Sequence, residues 1–253
     1  MKVNILPCLK CQEENQHLLE AELGDNLAFT AQCPYGHTSV FIFDAQRFEI
    51  LFDMGTSALL DEYHREAVST FAATQERFHE FAIKVFLAKQ SISRAQFLTT
   101  WKLVASQSER QLGAYNFLYL LQFHMAPPMN HKKAEFRNNV IHKGYIPSSK
   151  EAMEYAEYVY DYIVGTVRMM RPALSPEIER VCKEDMEEIV KSIPSEASWK
   201  SSKVPTTIGL SGPEGEFGEL TFRQVLRKSK EEHRLELERR LHEYDYDTEE
   251  DEA

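Results

Sequence analysis

Apolar residues recur along this chain with two different periods, and the change between them falls near residue 55. Before it, residues 26–31 and 38–43 carry strand-type side chains, with Pro34 and Gly36 marking a turn between them. After it, Leu60, Tyr63, Ala67, Phe71, Phe78, Phe81, Val85 and Phe86 recur at helical spacing through a stretch, 57–90, that has no Gly or Pro. The pattern predicts a long amphipathic helix there, or two nearly continuous ones.

Ser93 suits the N-cap of a next helix ending near Ser106, and residues 108–124 read as a strongly apolar, largely buried helix. Tandem Pro127 and Pro128 cannot continue a helix. Helical character returns over 134–142 and stops at Lys143 and Gly144, where Gly suits a left-handed C-cap. Ser148-Ser149-Lys150-Glu151 has the form of a capping box, opening a helix with Met153, Tyr155, Ala156, Val159, Tyr160, Ile163 and Val164. A further helix is predicted over 176–192. Residues 195–218, with Ser, Pro and Gly, read as linker, and Thr221-x-x-Gln224 can cap a last charged helix from 222 to about 244. The closing YDYDTEEDEA is too polar to bury a core of its own. No internal repeat is present.

The expected fold class is therefore mainly α: a helical bundle over 56–192 behind a small β-rich head over 1–52. A linker (193–220), a charged C-terminal helix (221–244) and an acidic disordered tail (245–253) follow. At 253 residues, 43% hydrophobic and 27% charged, the chain is large enough for a buried core. No apolar run approaches the roughly 18 residues of a membrane span, and the N-terminus lacks an apolar stretch of signal-peptide length. A soluble, cytoplasmic protein without a membrane partner is expected.

The net charge of −11 argues against a nucleic-acid binder only as a single number. Residues 91–150 hold eight Lys or Arg against two acids, a net of +6, whereas 231–253 hold eleven acids against three Arg, a net of −8. Phosphate binding needs a local cationic patch rather than a cationic protein. The six acids of residues 244–253 could mimic RNA phosphates in such a patch and restrain it.

Three of the four cysteines lie in the first 33 residues, which is not how a disulfide framework distributes them. Cys8-x2-Cys11 and Cys33-x3-His37, 21 residues apart, form two knuckles of two ligands each, the set that a tetrahedral Zn²⁺ takes. His17 or Cys182 could replace His37. A closed set of four ligands implies a structural ion. Residues 5–43 resemble a zinc ribbon, which supports the same ligands and the same cofactor.

In the body, RNNVIHKG (137–144) leaves four positions between a fixed cation and an imidazole. On a helix Asn138 and His142 share a face, while Arg137 lies about 140° around from His142. An imidazole near neutrality can shuttle a proton, an Arg fork can neutralise a phosphorane, and the carboxamide can orient either. That set suits RNA cleavage by its own 2′-hydroxyl, without a metal, leaving 2′,3′-cyclic phosphate ends. Read alone, an Arg and a His at a helix end are more commonly ordinary polar residues.

The stretch resembles the R-x4-H signature of the HEPN superfamily. These are all-helical domains, many of them metal-independent endoribonucleases. A polar residue directly follows the Arg, apolar residues precede the His, a long helix comes earlier and the tyrosine-rich EAMEYAEYVYDYI follows. The resemblance covers about residues 57–190 and implies a HEPN-like bundle with Arg137, Asn138 and His142 as catalytic residues. It also implies a homodimer with the site between two copies, RNA as substrate, and a toxin or anti-phage role that a separate antitoxin or regulatory partner could restrain. Lys132, Lys133 and Lys143 are expected near the substrate, and Tyr145 could stack on a base. Glu76 reads as an ordinary exposed acid with a lesser chance of bracing Arg137. The competing expectation is a catalytically silent RNA- or protein-binding module.

Overall fold

The computed structural model describes residues 2–11, 18–202, 206–210, 219–228 and 230–231; the acidic tail and the far part of the C-terminal helix lie outside these. The chain is mainly helical, with a small set of strands around its N-terminus.

Strands β1 (Lys2–Pro7) and β2 (Leu18–Glu22) pair antiparallel, and β3 (Ala28–Gln32) and β4 (Thr38–Phe43) form a second antiparallel hairpin. Its tight turn runs through Cys33 and Gly36, where the Gly36 N–H donates to the Cys33 carbonyl at 2.8 Å and φ of +79° calls for glycine. The predicted strands are thus present. The residues read as linker, however, supply a further strand. β5 (Ser198–Ser202) lies parallel to β4 in register from Ser39↔Ser198 to Phe43↔Ser202. Being parallel, it can reach β4 only after a long crossover, here the whole helical body.

The β3–β4–β5 sheet is covered on both faces, so β4 is buried almost continuously rather than alternately. Ala28, Val40 and Ile42 pack on Met186, Ile189, Val190 and Ile193. Phe29, Ala31 and Phe41 face Cys8, Leu19 and Ala21.

Helices α1 (Arg47–Leu60) and α2 (His64–Lys89) form an antiparallel hairpin. Phe52 meets Phe71 at 5.0 Å between ring centroids and Phe48 meets Phe78 at 5.3 Å. Helix therefore begins at Arg47, earlier than the periodicity suggested, and breaks at Asp61–Tyr63 with Glu62 left-handed at φ +65°. The close approach depends on Gly55, where a Cβ would lie 2.9 Å from the Phe71 ring.

The short α3 (Arg94–Trp101) is capped by Ser93 as expected. α4 (Ser108–Phe123) packs on α2 through Tyr115 and Tyr119, with Phe123 against Phe86. It is not largely buried: only one side faces the core, and Phe117, Leu120 and Leu121 are exposed. α5 (His131–Lys143) begins at an Asn130 cap and ends at Gly144, left-handed at φ +71°.

α6 (Ser149–Lys191) starts with the expected Ser148–Glu151 capping box but runs 43 residues, so no separate helix begins at 176. Pro172 and Pro176 interrupt its hydrogen bonds, yet Val167, Met170, Leu174, Ile178 and Val181 stay buried across the interruption. Packing on both sides of the prolines outweighs a local penalty of about 3 kcal/mol for each. The Thr221–Gln224 cap forms as well, and its helix, residues 222–228, inserts Phe222 among Phe52, Phe71 and Tyr160. No helix among the described residues is long and apolar enough to cross a membrane.

Candidate functional site

The head brings its four expected ligands together. Cys8 sits just after β1, Cys11 three residues on, Cys33 at the end of β3 and His37 just before β4, so two turns converge from two hairpins. Their ligand atoms all lie within 4.8 Å of one another. Cys11 Sγ is 3.9 Å from Cys33 Sγ and 3.7 Å from His37 Nδ1, and Cys8 Sγ is 3.9 Å from the same nitrogen. A tetrahedral ion with metal–sulfur bonds near 2.3 Å and metal–nitrogen bonds near 2.0 Å sets edges of about 3.8 Å and 3.6 Å. These three edges fit that solid, the sulfur–sulfur separation is far too long for a disulfide, and all four cysteines are free.

The second layer favours a thiolate. The Leu9 N–H donates to Ser39 Oγ at 3.0 Å, and the Ser39 hydroxyl is directed at Cys8 Sγ at 3.8 Å. Burial raises the Cys8 thiol, but the backbone N–H groups of Lys10 and Cys11, the Cys11 thiol and the Ser39 hydroxyl together bring it down to about 6. Cys11 is pushed up to about 12 by burial and by the neighbouring sulfurs of Cys8 and Cys33. Crowded sulfurs of this kind cannot all ionise without a cation among them. The four residues could therefore hold a metal ion. Cys182 is not part of the set: it lies half-buried on α6, its thiol raised to about 12 by burial and by Glu49, Asp185 and Asp44. His17 lies outside the described residues.

In the body, α5 turns Phe136 and Val140 inward, with Phe136 at 5.6 Å from Tyr155 of α6. Arg137 lies beside that inner face and reaches α2. Its Nη2 pairs with the Glu76 carboxylate and its Nη1 donates to Asn138 Oδ1 at 2.9 Å. The expectation of Glu76 as an ordinary exposed acid does not hold. Glu76 and Arg137 side chains are only 29% and 22% exposed, and each is the other's counter-charge. Asn138 and His142 are exposed, His142 in the last turn of α5. Arg137 and Asn138 are thus joined, while no hydrogen bond among the described residues links either to His142.

Beneath Arg137 lies a buried polar network. His79, one turn along α2 from Glu76, stacks on Tyr115 at 4.4 Å and shares a hydrogen bond of 3.0 Å with the Tyr162 hydroxyl. Burial, then the charges of Arg137 and Arg77, lowers His79 from 6.5 to about 3, so it stays neutral at physiological pH. Burial likewise raises the Tyr155 phenol, against the opposing charge of Arg137. The sequence also carried a signal for His79, which periodicity alone does not single out. Glu76 and His79 fall on the same helical stripe as buried Ala72 and Ile83, where a polar side chain needs a partner.

Lys132 and Lys143 are exposed, and Lys133 Nζ lies 3.8 Å from Glu154 of α6. The Tyr145 hydroxyl donates to Glu151 at 2.8 Å, which raises its phenol, and its ring meets Phe136 edge-on at 6.2 Å. Lys132 and Lys133 stand in the first turn of α5 and Lys143 and Tyr145 at its far end, so they do not close on one point in a single copy.

Comparison with protein-family models, with curated proteins and with solved structures gave no match for this chain.

Proposed function

We propose that the chain is a metal-independent endoribonuclease of HEPN type, with a structural Zn²⁺ bound by Cys8, Cys11, Cys33 and His37. The observation that carries the nuclease reading is Arg137 held between the Asn138 carboxamide and the Glu76 carboxylate, five residues along α5 from an exposed His142. A braced guanidinium is oriented before substrate arrives, which is what stabilisation of a developing phosphorane requires. The 2′-oxygen attacks phosphorus as its proton passes to a base, the P–O5′ bond breaks, and O5′ takes a proton. His142 supplies one of these transfers, and His142 of a second copy supplies the other across a homodimer cleft. Lys132, Lys133 and Lys143 add positive charge, and Tyr145 a ring face, around the substrate.

For the ion, three soft sulfurs and one imidazole in a tetrahedron select zinc among the common divalent metals, and four protein ligands leave no open position for catalysis. A second reading, a silent RNA- or protein-binding module, is favoured by one observation. Glu76 already neutralises Arg137, which weakens its pull on a phosphate.

The test is to incubate the full chain and His142→Ala with mixed RNA in EDTA and to map the ends formed. Cleavage with cyclic-phosphate ends that His142→Ala abolishes supports the nuclease. Absence of cleavage by the unaltered chain sinks it in favour of the binding module, and cleavage surviving the substitution removes His142 from the site.

A further inference from the structure

β5 is the last strand of its sheet. One side of it bonds β4, and the other faces no strand among the described residues. The parallel register fixes which groups turn that way. The Ser202 carbonyl accepts from the Asp44 N–H at 3.0 Å, so Ser198, Lys200 and Ser202 direct their N–H and C=O groups at β4. By alternation Trp199 and Ser201 direct theirs out of the sheet, and no hydrogen bond among the described residues takes them up. Such a row is a template for one more strand.

A groove of about 890 Å³ runs beside this edge. From Arg171 to Lys191 it follows α6 for about 30 Å. Its floor is apolar, made by Ile178, Cys182, Met186 and Val190 of α6, with Leu210 to one side. Trp199 stands opposite Val40 in the ladder, so it shares the sheet face that packs Val40 on α6. Its indole therefore lines the groove, 48% exposed, and it is the only apolar side chain of β5. A strand laid against β5 would sit about 4.8 Å further out, with every second side chain directed at this floor.

We propose that β5 and this groove bind an extended segment of a partner protein by strand addition, with apolar side chains at every second position of the segment. The backbone of β5 selects the occupant. Only an extended peptide offers a row of N–H and C=O groups to match Trp199 and Ser201, because a helix satisfies its own backbone internally. Charge points the same way. Arg171, Lys183 and Lys191 stand against Asp44, Glu179 and Glu187, so the groove carries no net charge to hold a phosphate backbone. A neutral, alternately apolar segment meets no such requirement. The β5 of a second copy fits poorly, since its one apolar side chain cannot fill a floor that runs from Ile178 to Val190. The groove lies along the C-terminal half of α6, whereas α5 meets α6 near its start, Phe136 against Tyr155. Strand addition and RNA cleavage are therefore separate properties, and either can fail without the other.

The probe is a phage-displayed library of random heptapeptides selected on the full chain, with the most enriched sequence then made as a free, end-blocked peptide. It should alternate apolar and polar residues, and on binding it should slow amide exchange at Trp199 and Ser201. Ser201→Pro removes the outward N–H but leaves the β4 ladder intact, since an edge strand tolerates proline at such a position. With circular dichroism as the folding control, this variant should bind the peptide at least about tenfold more weakly. A second measurement needs no change to the protein. N-methylating the alternate peptide amides that face β5 should abolish binding, while methylating the other set should leave it unchanged. The proposal is overturned if no peptide is enriched, if the peptide protects neither amide, or if both methylated peptides bind alike. A folded Ser201→Pro that binds as the unaltered chain does overturns it too. So does slow exchange of Trp199 and Ser201 in the free chain, which would mean that the edge is already occupied, within the chain or by a second copy.

Discussion

Replacing Glu49 by Gln should change how the stability of the chain depends on pH. Glu49 stands in the first turn of α1 and is only 2% exposed. Its carboxylate accepts from the Gln46 N–H at 2.6 Å, the Thr206 hydroxyl at 3.0 Å and the Leu210 N–H at 2.9 Å, and so ties the returning segment 206–210 to α1. Burial pushes this acid from 4.5 up to about 7, with Asp53 adding to the effect and the three hydrogen bonds opposing it. Between those two values the folded chain holds a proton that the unfolded chain has released. Stability from this group is therefore complete below pH 4.5 and is lost as the pH rises through 7. At 1.36 kcal/mol per pH unit the loss comes to about 3 kcal/mol, nearly all of it gone by pH 8.

His79 works in the opposite direction. Held neutral down to about 3, it makes the fold lose stability as the pH drops below 6.5. The two slopes overlap, so the curve of the unaltered chain alone would be ambiguous. The difference between unaltered chain and Glu49→Gln cancels His79 and isolates Glu49. Urea unfolding at pH 5, 6, 7 and 8 measures it. Glu49→Gln should lose its disadvantage with rising pH, the difference moving by about 2.5 kcal/mol in its favour from pH 5 to pH 8. Parallel curves would refute the reasoning, because they would mean that Glu49 ionises in the fold as it does in water.

Two further outcomes are expected. Purified chain should carry one zinc ion, and Cys33→Ser should lower that content well below one while amide exchange quickens in β3 and β4; full metal content in the variant would remove Cys33 from the ligand set. Removing the carboxylate in Glu76→Ala should cost about 1–3 kcal/mol, between an exposed and a buried ion pair. In a double-mutant cycle with Arg137→Ala the two losses should be non-additive by about 1 kcal/mol or more, and simple additivity would mean that the pair does not brace Arg137.

The sequence by itself determined whatever depends on neighbours a few residues apart. The Ser93, Ser148 and Thr221 caps, the Gly144 stop, the β3–β4 hairpin and the amphipathic run around Phe71 and Phe78 are local, because capping, turn geometry and periodicity are local effects. The cluster of four candidate ligands was legible for a related reason: two short knuckles preset two pairs, and only the approach of two hairpins remained to be made. The tertiary structure decided what depends on distant partners. A separate helix was expected from Pro176, but core contacts on both sides of Pro172 and Pro176 carry α6 through them. Residues 198–202 read as linker, but the open edge of β4 recruits them as a strand. α4 read as buried, since hydrophobicity gives composition and not the number of neighbours available to cover it. Glu76 became Arg137's partner only when α2 and α5 met, a contact spanning 61 residues that no local pattern encodes.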